Sequence, residues 1–77
     1  MEIEAFIQNL EKEFEDLSEG SLLPNTVLKE IPGWNSMHIL LLVAMIDIHY
    51  QVLLSGEDLK EIVTVSDLFS HVKSRRG

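Results

Sequence analysis

Cysteine is absent from this chain of 77 residues, so no disulfide can stabilise it and no Cys/His cluster can hold a structural metal. Basic residues are few: six Lys and Arg face thirteen Asp and Glu, a net charge of −7. Phosphate neutralisation needs a basic patch, which excludes nucleic acid as a partner. Long apolar runs are missing as well. The most apolar stretch, Ile39 to Ile46, meets Asp47, His49 and Gln51 before it reaches the roughly 20 residues that span a bilayer, so no membrane span is expected. Met1-Glu2-Ile3-Glu4 opens with acids where a secretory signal needs cations, and the expected location is cytoplasmic. Size removes another class. A single domain over residues 1–77, expected to be a monomer, must build its core from 45 % hydrophobic content. A core this small leaves little room for an ordinary active-site cleft, so the chain is not expected to be an enzyme.

The charge that is present is unevenly placed. Seven of the thirteen acids lie in residues 1–19, and three of the six bases (Lys73, Arg75 and Arg76) fall in the last five residues. Residues 1–72 therefore carry three bases against thirteen acids, a net of −10. Such acidity suits a partner with a basic docking surface, or simply keeps a small domain soluble.

Apolar spacing organises the chain into helices. Ile3, Phe6, Ile7, Leu10, Phe14 and Leu17 share one face of a helix over residues 2–17, with Glu4, Glu11, Glu13, Glu15 and Asp16 on the rest of its circumference. Gly20, Pro24, Pro32 and Gly33 break the pattern over residues 18–35. That connection holds Leu22, Leu23, Val27, Leu28 and Ile31, too apolar for a solvated linker, and is expected to pack on the bundle. Asn25 or Thr26 would cap one helical turn ending before Pro32. Asn35 opens a second helix over 35–51, and Ser55-Gly56-Glu57-Asp58 opens a short third over 56–62. Thr64-Val65-Ser66-Asp67 forms a capping box before a last helix over 65–73 that buries Leu68, Phe69 and Val72. No stretch alternates long enough for a strand. The expected class is all-α, a small four-helix bundle with a short third helix and a long loop between the first two.

The second helix has two apolar arcs where a surface helix needs one. At about 100° per residue, Ile39, Leu42, Val43, Ile46 and Tyr50 form a core-facing stripe, while Met37, Leu41, Met45 and Ile48 form another. Ser36, Leu40, Ala44, Asp47 and Gln51 lie between them on one side, His38 and His49 on the other. Either the helix is central and touches neighbours on both sides, or the second arc docks another protein.

Pro32-Gly33-Trp34-Asn35-Ser36-Met37, opening an apolar helix, resembles the Asp-Ser-Leu attachment motif of acyl carrier proteins. The pattern continues through Tyr50 at the end of that helix, Glu57 and Asp58 before a short helix, and Thr64-Val65-x-Asp67-Leu68. The resemblance covers essentially the whole chain, and the fold it implies is the four-helix bundle of that family. It implies that Ser36, flanked by Asn35 and Met37, carries a covalent 4′-phosphopantetheine donated by coenzyme A. The implied partners are a phosphopantetheinyl transferase and the acyl-loading, synthase or acyltransferase enzymes that exchange acyl thioesters with the arm. The residue chemistry agrees: the first turn of a helix offers N–H groups and the positive end of the dipole to a phosphodiester. A serine without a base is a poor nucleophile, so the transferase must activate it.

Two departures matter. Asn35 keeps the cap but lacks the charge of the family's aspartate, and Met37 replaces leucine. On the docking face, positions where carriers of fatty-acid synthesis commonly place carboxylates hold Leu41 and Ile48, and Asp47 is the sole acid of the helix. The expected partner surface is Leu40, Leu41, Ala44, Asp47 and Ile48, meeting its partner more by apolar contact than by charge. The apolar arc Ile39, Leu42, Val43 and Ile46, with Ile62, is by the same resemblance a shelter for an acyl chain, and Trp34 either shields the base of the arm, meets the transferase or simply pins the loop to the helix. His38 and His49 stand about 16 Å apart along the helix and cannot share a metal ion. His38 does not face Ser36 at i,i+2, so no nucleophilic arrangement forms. Lys73 to Arg76 complement the negative end of the last helix. The alternative is an unmodified helical interaction module with Met37, Leu41, Met45 and Ile48 as its contact patch. The cargo, whether fatty, polyketide, hydroxy-acid or aminoacyl, stays open.

Overall fold

A computed structural model describes residues 2–14, 20 and 22–76. Among them are four α-helices and no strand beyond one isolated bridge. The first, α1 (Ile3–Glu13), has Glu4 in its first turn and Lys12 in its last, each suited to the helix dipole, and sends Phe6 and Leu10 into the core. It ends earlier than residue 17. Phe14 is already extended (φ −104°, ψ 100°), and its ring packs against Trp34 and His38 at centroid distances of 5.6 and 5.8 Å. Leu17, Glu15 and Asp16 lie outside the described residues. Glu11 is buried rather than on the solvated circumference, because its Oε2 accepts the Leu22 N–H at 3.0 Å. That carboxylate ties the returning connection to α1.

The connection packs, as its apolar content requires: Leu22, Leu28 and Ile31 are all core residues. Its helical turn is a 3₁₀ turn at Leu28–Glu30 that begins after Val27 with no side-chain cap. Asn25 and Thr26 do not cap it. Thr26 Oγ1 instead accepts the Leu23 N–H at 2.9 Å, closing a local turn. Three backbone bonds stitch the connection to Val63 and the first residues of the last helix: Leu28 N–H to Val63 O (3.0 Å), Val65 N–H to Thr26 O (3.0 Å) and Ser66 N–H to Pro24 O (2.8 Å).

The second helix, α2 (Ser36–Tyr50), is capped by Asn35 and closed by Gln51 in the left-handed region. The third, α3 (Gly56–Glu61), rests on a Ser55–Asp58 capping box and buries no residue of its own. The fourth, α4 (Val65–Arg76), opens on the expected box, Thr64 Oγ1 accepting the Asp67 N–H and Asp67 Oδ2 accepting the Thr64 N–H. It runs three residues past Lys73, with Lys73, Arg75 and Arg76 in its final turn. Helices α1, α2 and α4 pack pairwise on one another. Phe6 sits at their junction, 5.2 Å from the Tyr50 ring and 5.4 Å from Phe69. Asn9 donates to the Tyr50 hydroxyl at 2.8 Å, fixing the end of α2 to α1.

The core face of α2 differs from the expected one. Leu42, Met45, Ile46 and Tyr50 are buried, whereas Ile39 and Val43 are only partly so. Met45 is 1 % exposed and belongs to the core, not to a contact patch. The face rotates because α1 and α4 both press on α2, so the buried arc centres between the two apolar arcs.

Candidate functional site

The local structure at the start of α2 follows from two side chains. Asn35 Oδ1 accepts the N–H of Met37 at 2.9 Å and of His38 at 3.4 Å, while His38 Nδ1 accepts the Asn35 N–H at 3.3 Å. This is a capping box with histidine where Glu or Gln is usual. In that arrangement Nδ1 carries a lone pair. A proton on Nδ1 would instead point the ring at Asn35 Oδ1, 3.1 Å away. The His38 ring lies 5.1 Å from Trp34, so the loop before the helix and its first turn are fastened together. Trp34 therefore does pin the loop, as expected.

Ser36 is the first residue of α2 and is exposed. No acid of α2 lies in this first turn, where the positive end of the dipole meets the exposed serine. The site fits a phosphate ester on Ser36 Oγ. His38 Nδ1 is engaged by the Asn35 N–H, and no base among the described residues is hydrogen-bonded to the hydroxyl.

Along the same helix the exposed side chains form a stripe. Met37, Leu40, Leu41 and Ile48 are 64, 66, 42 and 70 % exposed, and Ala44 and Asp47 are exposed among them. Positions 37, 41, 44, 48 and 51 recur at steps of four and three, the spacing of a helix–helix seam. Leu40, Leu41, Ala44, Asp47 and Ile48 thus share one accessible face, with a single charge on it.

Beside the start of α2 lies an open cleft of about 200 Å³, lined by Leu28, Trp34, Ile39, Leu42, Leu59 and Ile62. The stems of Lys29 and Lys60 complete its walls. Ile39 is one turn from Ser36, so the cleft starts within a turn of the exposed hydroxyl. Ile46 is fully buried and neither it nor Val43 lines the cleft, so the cleft takes in only Ile39, Leu42 and Ile62 of the expected arc. Leu28, Leu59 and Trp34 are lining residues that the helical wheel of α2 alone does not reveal. The apolar content of the connection was the only signal for Leu28 and Trp34, and Leu59 is the one apolar residue of the short α3.

No group of three or more His, Asp or Glu able to hold a metal exists among the described residues. None of their helices is long and apolar enough to cross a membrane. No family model matches the chain, and no curated protein or solved structure matches it either.

Proposed function

We propose that this chain is an acyl carrier, with 4′-phosphopantetheine attached through Ser36 Oγ. The observation that carries the reading is the placement of Ser36: exposed, at the first position of an Asn-capped helix, with an apolar cleft one turn away. The bound arm would supply a thiol for acyl thioesters, which this cysteine-free chain lacks. The chain's own residues do the rest. The first turn of α2 presents N–H groups and dipole to the phosphodiester. Asn35 and His38 hold that turn in place, and Leu28, Ile39, Leu59 and Ile62 offer an apolar surface to the cargo. The base that activates Ser36 belongs to a separate transferase. The stripe Leu40, Leu41, Ala44, Asp47 and Ile48 is the surface that transferase and acyl-handling enzymes would meet. An apolar stripe with one acid fits a specialised biosynthetic pathway better than a charge-driven one.

The test is intact mass after incubation with a broad-specificity phosphopantetheinyl transferase, coenzyme A and Mg²⁺, beside Ser36→Ala. A gain of one phosphopantetheine by the wild type alone is the expected result. No gain by folded protein, together with an unmodified mass from the native source, would sink the reading. It would leave the second one, a docking module without an arm, which rests on the exposed stripe of α2.

A further inference from the structure

The bases in residues 1–72 are Lys12, Lys29 and Lys60, against thirteen acids over the same residues. Two of these three line one apolar cleft: Lys29 from the 3₁₀ turn and Lys60 from α3. Both residues are exposed, and neither forms an ion pair with a carboxylate among the described residues. Solubility is already secured by the acids, so it does not account for two cations lining one greasy cleft. Lysine stems add apolar wall while their heads reach solvent, which places positive charge at the edge of the apolar volume.

We infer that the cleft binds an amphipathic anion: a short aliphatic chain in the apolar volume, with its carboxylate between Lys29 and Lys60. A dry cavity of about 150 Å³ takes a benzene ring, so about 200 Å³ suits a tail on the order of six to eight carbons. Charge complementarity selects the head group, because two of the few bases of an acidic chain line this cleft. This binding belongs to the unmodified chain and does not depend on Ser36 carrying an arm. A carboxylate of this kind can arrive free in solution or as the far end of a tethered cargo.

Ser36→Ala protein separates the sources, since it can hold only the free ligand. Octanoate, octan-1-ol and acetate are titrated into it at pH 7 and low ionic strength, followed by backbone amide shifts and calorimetry. Octanoate is expected to saturate about five- to tenfold more tightly than octan-1-ol, with shifts at Leu28, Ile39, Leu59 and Ile62. Acetate, which lacks a tail, gives no saturation. The double variant Lys29→Gln/Lys60→Gln binds octanoate no better than the alcohol, while Lys12→Gln on α1 leaves the preference intact. Equal binding of acid and alcohol overturns the inference. So does an equal loss with Lys12→Gln, which would reduce it to net charge, and so do shifts confined to the α2 stripe. If octanoate binds and Ser36 is never modified, the carrier reading fails and the cleft ligand stands.

Discussion

Gln51 ends α2 at φ 56°, ψ 38°, a left-handed conformation that costs an L-residue roughly 1–2 kcal/mol. Its N–H is spent on Asp47 O at 3.0 Å, so the turn is required by the helix end and not by the side chain. Gln51→Gly relieves the steric cost and forfeits some unfolded-state entropy, for a net gain of about 0.5–1 kcal/mol. In a domain of this size that raises the thermal midpoint by roughly 2–8 °C in a melting experiment. Gln51→Val, branched at Cβ, lowers it. Capping residues elsewhere were legible because their chemistry is local: Asn35, Ser55 and Thr64 each cap the helix that follows them. Glu11 was not legible. Its partner is a backbone amide eleven residues on, which no periodicity reports.

At the scale of elements, α2 governs what can be read. The sequence indicates that it is apolar on more than one side, but a helix with two apolar arcs does not declare which arc is core. Packing against α1 and α4 decides that, taking Met45 inward and leaving Met37, Leu41 and Ile48 outside. The existence of all four helices was readable from spacing and caps. The end of α1 was not, because Phe14 leaves the helix to meet Trp34 and His38 from a distant segment. The exposed stripe makes a prediction that separates apolar from charged docking. Leu41→Ala and Ile48→Ala together should lower kcat/KM for transferase modification about tenfold, through lost apolar contact. Asp47→Lys should change it by less than that. The reverse ranking, read in the same assay, would mean that charge steers the encounter.

Across the whole molecule, the radius of gyration is 11.3 Å, close to the roughly 11.5 Å expected of one compact domain of this length. Two carboxylates join its smaller parts. Asp58 is held below the usual aspartate range by the Ser55 N–H, with further contributions from the Ser55 hydroxyl, His71 and Arg75. Its oxygens lie 3.4 Å from His71 Nε2 and 3.5 Å from Arg75 Nη1, so it both caps α3 and reaches α4. Asp67 is lowered by the N–H groups of Thr64 and Val63 and by the Thr64 hydroxyl. A carboxylate lowered in the folded state contributes stability above its unfolded value, near pH 4, and loses it as the pH falls through the folded value. The midpoint should therefore be flat from pH 7 to 5 and fall below about pH 4. In Asp58→Asn/Asp67→Asn the midpoint at pH 7 is lower and its decline in acid shallower. An unchanged acid profile in that variant would assign the sensitivity to other carboxylates.

The three backbone bonds between the connection and the chain at the start of α4 have a mechanical consequence. They join the wall of the cleft that bears Leu28 to the stretch that follows Ile62 directly, so the two walls facing α2 move as one leaf of a hinge. Breathing of the cleft is then a swing of that leaf against α2 rather than a parting of its two halves. The amide protons of Leu28 and Val65, 37 residues apart in the chain, would exchange with solvent in a single cooperative event.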